Sequence, residues 1–86
     1  MIPVTVYVTN YCVYCLRAKR LLERKGIAYT EIDVSDDPER RSWLVRTTGR
    51  RTVPQIFVGE TPVGGFTELY ALDRDGSLDR LLSDAD

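Results

Sequence analysis

Apolar residues fall in short runs along the whole chain, and the spacing within those runs changes from two residues to three or four and back. Val4, Val6 and Val8 alternate with Thr5 and Tyr7, the period of two expected of a strand, and their β-branched side chains suit a strand over residues 3–8. Thr9-Asn10-Tyr11 follows as a turn. From Cys12 onward Cys15, Ala18, Leu21 and Leu22 recur at spacings of three and four, while Arg17, Lys19, Arg20, Glu23 and Arg24 fall on other faces. That pattern predicts an amphipathic helix, closed by Gly26, which tolerates the left-handed conformation of a helix end.

Residues 28–34 alternate again, with Ala28, Thr30, Ile32 and Val34 set against Tyr29, Glu31 and Asp33, and predict a second strand. Asp36-Asp37-Pro38 places a capping carboxylate before a proline at the first helical position. The helix it starts is expected to reach about Thr48, with Trp43, Leu44 and Thr47 turned inward, and to stop at Gly49. Gln55–Val58 and residues 61–63 read as short strands joined at Gly59-Glu60 in a hairpin. After Gly64-Gly65, Thr67 is expected to cap a helix with Leu69, Tyr70 and Leu72 on one side. Ser77 restarts a short helix carrying Leu78, Leu81 and Leu82.

The order is therefore β-α-β-α-β-β-α. A β-α-β unit makes the first two strands parallel and the closing hairpin is antiparallel, so the expected architecture is an α/β thioredoxin fold: a four-stranded mixed sheet flanked by helices. With 86 residues the chain is expected to form one domain over 1–86, since independent cores usually need about 50 residues each. No repeat, low-complexity tract or linker interrupts it, and only the tail Ser83–Asp86 reads as disordered.

Charge and composition narrow the function. Twelve basic and 13 acidic side chains are mixed along the chain, which argues against a basic nucleic-acid-binding face. No apolar run approaches the roughly 20 residues needed to span a bilayer, and the N-terminus lacks the pattern of a signal peptide. A cytoplasmic location, no membrane partner and a monomer are the expectations.

The two cysteines stand at Cys12 and Cys15, and there is no histidine. A structural zinc site normally takes four Cys or His ligands, more than this chain has. A structural disulfide is uncommon in a reducing compartment, and a pair of inert core thiols is the other bland reading. The pair's place favours chemistry: Cys12 opens the first helix, where unpaired backbone N–H groups and the helix dipole favour a thiolate. Cys15 lies close to one turn further on, on the same face. Cys12 is thus the candidate nucleophile and Cys15 the resolving thiol. Arg17 and Lys19 add positive charge nearby, although an ordinary solvated helix face is the better explanation of each.

Two further elements separate this pair from a generic Cys-x-x-Cys. Thr52-Val53-Pro54 precedes the apolar strand at 55–58, where proline is awkward unless its missing N–H and fixed φ are useful. A cis bond at Val53-Pro54 would turn the Val53 backbone toward an extended ligand. Gly64-Gly65 lies directly before a helix start, where bare N–H groups can meet a carboxylate.

With these elements the chain resembles the glutaredoxin family, particularly its small bacterial dithiol members, over almost its whole length. The resemblance rests on Cys12-Val13-Tyr14-Cys15, on the stretch from Gly49 through Thr52-Val53-Pro54 to Val58, on Val63-Gly64-Gly65 and on Leu69-Tyr70-Ala71-Leu72. It implies a thiol–disulfide oxidoreductase reduced by glutathione, with disulfide-bonded or glutathionylated proteins as partners. By position, Val53 would pair with the cysteine residue of glutathione. Gly65, Phe66 and Thr67 would hold the γ-glutamyl carboxylate, Tyr14 would form a groove wall with Thr52 and Pro54 beside it, and Arg50 or Arg51 would meet the glycyl carboxylate.

Three departures from the family's pattern matter. Val13 stands where proline is common, which leaves a [2Fe–2S] cluster open, shared by two chains through Cys12 of each and two glutathiones. Thr9 replaces a lysine, and Thr67-Glu68 replaces an acidic pair. A thioredoxin-like electron donor reduced directly by a flavoprotein reductase is the remaining alternative.

Overall fold

The computed structural model describes residues 2–83. β1 (Val4–Val8) is the strand that the alternation predicts, with Val4, Val6 and Val8 buried and Thr5 and Tyr7 half-buried between them. α1 (Val13–Arg24) buries Cys15, Ala18, Leu21 and Leu22, the residues spaced by three and four. Gly26 follows at φ +71°.

β2 (Thr30–Asp33) is shorter than the expected 28–34. It lies at the sheet edge and pairs only with β1, so three of its four side chains stay exposed. α2 (Pro38–Thr48) begins as expected, the Asp37 carboxylate accepting the Arg40 N–H at 3.1 Å, and ends at Gly49 with φ +73°. Its inner face is narrower than expected: Leu44 is its only buried residue, while Thr47 and Trp43 are exposed. Trp43 lies along the rim, stacked on Phe57 at 5.8 Å between ring centroids and tilted on Tyr7 at 5.7 Å.

β3 (Gln55–Val58) is buried throughout, and a turn at Gly59-Glu60 leads to β4 (Thr61–Gly64). α3 (Phe66–Arg74) and α4 (Ser77–Ser83) complete the chain. Ser83 closes α4 rather than opening a disordered tail, and the rest of that tail, residues 84–86, lies outside the described residues. Tyr70 is exposed, not turned inward with Leu69, because α3 presents only its Leu69 side to the core.

The sheet order is β2-β1-β3-β4, with β1 parallel to β2 and the other two pairings antiparallel. This is the expected α/β arrangement, with α4 as a separate final helix. One apolar cluster joins Val4, Val6, Val8, Ile56 and Val58 to α1, α3 and α4. A smaller one joins Val34, Leu44 and Phe57 on the α2 side. Among the described residues no helix is long and apolar enough to cross a membrane.

Register is what places the site. Tyr7 pairs with Gln55 across β1 and β3. The start of β3 therefore lies beside the end of β1, bringing Val53-Pro54 next to the turn that leads into Cys12.

Candidate active site

Two backbone features deliver Cys12. Tyr11, fully exposed, adopts φ +59°, a left-handed conformation uncommon outside glycine, and turns the chain from β1 into α1. Cys12 is then the N-cap of α1 with extended backbone angles. A side chain at this position ordinarily accepts one of the helix's unpaired N–H groups, and here the acceptor is sulfur: the Cys15 N–H donates to Cys12 Sγ at 3.1 Å. On its other side the Cys12 thiol donates to the Val53 carbonyl at 3.7 Å.

Cys15 differs from Cys12 in access. Both are free thiols, but Cys12 is half-buried and Cys15 buried. Burial, reinforced by the hydrogen bond with Cys12, pushes the Cys15 thiol up to about 12, since a low-dielectric setting disfavours the anion. The sulfur that water can reach is the one that the helix N-terminus supports.

The Val53-Pro54 peptide bond is cis, as expected. The loop before it is tied to the sheet by Gln55, whose Nε2 donates to the Thr52 carbonyl at 2.8 Å and to Thr52 Oγ1 at 3.3 Å. Among the described residues Gln55 is the only polar one that is buried, and its Oε1 has no hydrogen-bond partner there. Burying that oxygen costs about 1–3 kcal/mol, so the amide's contribution is the fixed position of Thr52.

α3 is capped differently from the expectation. Gly65, not Thr67, is the N-cap, and Thr67 lies exposed in the first turn. Glycine has no side chain to offer, so only the reciprocal half of a capping box exists: Glu68 Oε1 accepts the Gly65 N–H at 2.7 Å. The same oxygen accepts Arg50 Nη1 at 3.1 Å. These contacts, the Gly65 N–H first, hold the Glu68 carboxyl below its ordinary value. Gly64 is obligatory beneath it, because it adopts φ +117° and a Cβ there would lie 2.9 Å from Glu68.

A groove of about 200 Å³ gathers Tyr14, Arg50, Thr52, Val53, Pro54, Gly65, Phe66 and Thr67, with Glu68 at its rim. Every sequence-expected binding residue lies in it except Arg51. Arg51 instead lines an adjoining cavity of about 170 Å³ with Arg41 and Ser42, and the two spaces share Arg50, Thr52 and Val53. Arg41 and the capping part of Glu68 were missed from sequence. A Glu three residues after the N-cap was the available signal for Glu68, whereas Arg41 depends on how α2 crosses the loop.

Among the described residues no three His, Cys, Asp or Glu side chains gather around a common point.

The family pattern described as glutaredoxin matches residues 4–63. The chain is 54% identical over 83 residues to a glutaredoxin of Pseudomonas aeruginosa, covering 96% of this chain and 99% of that one. It is 43% identical over 82 residues to glutaredoxin 3 of Escherichia coli K12, covering 95% and 99% respectively. Among solved structures it is similar to a buckwheat glutaredoxin–glutathione complex, with a TM-score of 0.90 and 32% identity over 96% of this chain and 78% of that one.

Proposed function

The chain belongs to the glutaredoxin family of thiol oxidoreductases, and from that premise we propose that it uses glutathione to reduce glutathione mixed disulfides and protein disulfides through Cys12 and Cys15. The observation that carries this reading is the setting of Cys12 Sγ, held between the Cys15 N–H and the Val53 carbonyl beside a groove whose wall includes Val53.

In the proposed reaction the Cys12 thiolate attacks the glutathione sulfur of a mixed disulfide. The Cys12–glutathione bond forms as the substrate's S–S bond breaks, and the protein sulfur leaves with the electron pair and takes a proton from water. A second glutathione thiolate then attacks the glutathione sulfur on Cys12, releasing oxidised glutathione and restoring the Cys12 thiolate. For a protein disulfide, Cys12 forms the mixed disulfide with the protein. Cys15, once deprotonated, attacks Cys12 and expels the second protein thiol, leaving a Cys12–Cys15 disulfide that two glutathiones reduce. For a mixed disulfide the second step needs only glutathione, so that route closes without Cys15.

The groove's ends differ in what they offer. At the α3 end the Phe66 and Thr67 N–H groups open the helix without a side-chain cap, a setting suited to the γ-glutamyl carboxylate. Arg50 is committed there to Glu68. The glycyl carboxylate is assigned instead to the side where Arg41 and Arg51 line the adjoining cavity. Turnover of a glutathione mixed disulfide, coupled to glutathione reductase, tests the reading. It should depend on glutathione concentration, and efficient reduction by thioredoxin reductase without glutathione would favour the flavoprotein-linked alternative.

A further inference from the structure

Three aromatic rings run across the surface from the cysteine motif onto α3: Tyr14 and Phe66, which line the groove, and Tyr70 beyond it. Tyr14 and Phe66 are 6.4 Å apart between ring centroids, and Phe66 and Tyr70 are 5.8 Å apart. Tyr14 and Tyr70 are 54% and 43% exposed, and Tyr70 takes no part in lining the groove. Each end of the row carries an arginine. The Arg17 guanidinium lies 5.4 Å from the Tyr14 ring centroid, and that of Arg74 lies 5.6 Å from the Tyr70 centroid, its Nη1 donating to the Tyr70 hydroxyl at 2.9 Å.

Helical spacing builds this row. Arg17 follows Tyr14 by three residues in α1, while Tyr70 and Arg74 follow Phe66 in steps of four along α3, so each pair shares a helix face. Arg17 and Arg74 are exposed, and neither has a carboxylate partner among the described residues. Glu68, the acid in the first turn of α3, is already held by Arg50 and Gly65. An arginine stacked on an aromatic ring keeps N–H donors free in a fixed orientation, ready for a carboxylate.

Resting on the glutathione-linked reading, we propose that this row is the docking surface for the polypeptide of a glutathionylated substrate, and that Arg17 and Arg74 select acidic residues flanking its modified cysteine. The rings provide apolar contact that tolerates many sequences. The two arginines provide the charge preference, in a chain whose formal net charge is −1.

The test uses three substrates: a glutathionylated peptide with Asp and Glu flanks, the same peptide with Lys flanks, and the small mixed disulfide of glutathione with mercaptoethanol. For the wild type at low salt, kcat/KM should favour the acidic peptide by about tenfold, with the preference shrinking as ionic strength rises. The double change Arg17→Glu and Arg74→Glu should reverse the preference, read as the ratio of the two peptides' kcat/KM so that any common effect on Cys12 cancels. If the double variant melts early, the single Arg17→Gln change should still reduce the preference. Equal rates for the two peptides, or a preference untouched by these changes, overturns the proposal. Failure of the wild type on the small disulfide would instead overturn the glutathione-linked reading itself.

Discussion

The two sulfurs of the site are three residues apart and chemically unlike. Cys12 sits half-exposed at the mouth of α1, while burial pushes Cys15 up to about 12. Because the thiolate is the species that reacts, iodoacetamide at neutral pH should add once to the native reduced protein, on Cys12, and reach Cys15 only after unfolding. Mass spectrometry after digestion reads this directly, and early modification of Cys15 would contradict it. Glu68 yields a pH prediction. Its folded value is depressed below the ordinary 4.5, so its stabilisation is complete above about pH 4.5 and is lost as pH falls through the lowered value. Since the side chain is 42% exposed, the effect is modest, about 0.5 kcal/mol. Glu68→Gln should therefore lower Tm slightly at pH 7 and leave it equal to wild type near pH 2; an unchanged deficit at both pH values would rule this out. The paired thiols and the Thr52-Val53-Pro54 loop were legible from residue order, because motif spacing and a misplaced proline are local features. The surroundings of Arg50 and Arg51 were not, since they depend on which distant residues come into range: Arg50 pairs with Glu68 and Arg51 lines the cavity shared with Arg41.

At the scale of elements, legibility followed burial. α1 and β1 pack a full face on the core, so their periodicities of three to four and of two appear in the sequence as they do in the structure. β2 and α2 are less completely covered. β2 pairs on one side only, and α2 buries Leu44 alone, so their patterns carried less information and the inward assignment of Trp43 and Thr47 failed. For α3 the side chains were placed correctly at Leu69 but not at Tyr70, and the cap was sought at Thr67 when a Gly65 N-cap served by Glu68 performs it. Leu69 is fully buried against the sheet cluster that also holds Cys15. Leu69→Ala should cost about 2–5 kcal/mol, measured by urea unfolding. It should also weaken turnover, since α3 carries one wall of the groove. A cost below about 1 kcal/mol would mean that α3 contributes little to the core.

Across the molecule, the site is a seam between parts of the chain far apart in sequence. The end of β1 and start of α1 bring Cys12, the start of β3 brings Val53 and Pro54, and the β4–α3 junction brings Gly65 and Phe66. They meet because β1 pairs in register with β3 and β3 with β4. Val53 also packs against both apolar clusters, which joins the reactive loop to the whole interior. The fold class and order of elements were readable from hydrophobic period and turn residues. The side-by-side placement of groove, adjoining cavity and aromatic row was not, because it arises from packing between distant segments. In the proposed cycle Cys12 alone performs the first chemical step, while glutathione can replace Cys15 in the second. The most direct measurement is coupled turnover of a small glutathione mixed disulfide by wild type, Cys12→Ser and Cys15→Ser. Cys12→Ser should abolish activity and Cys15→Ser should retain most of it; equal loss from both changes would contradict the proposed cycle.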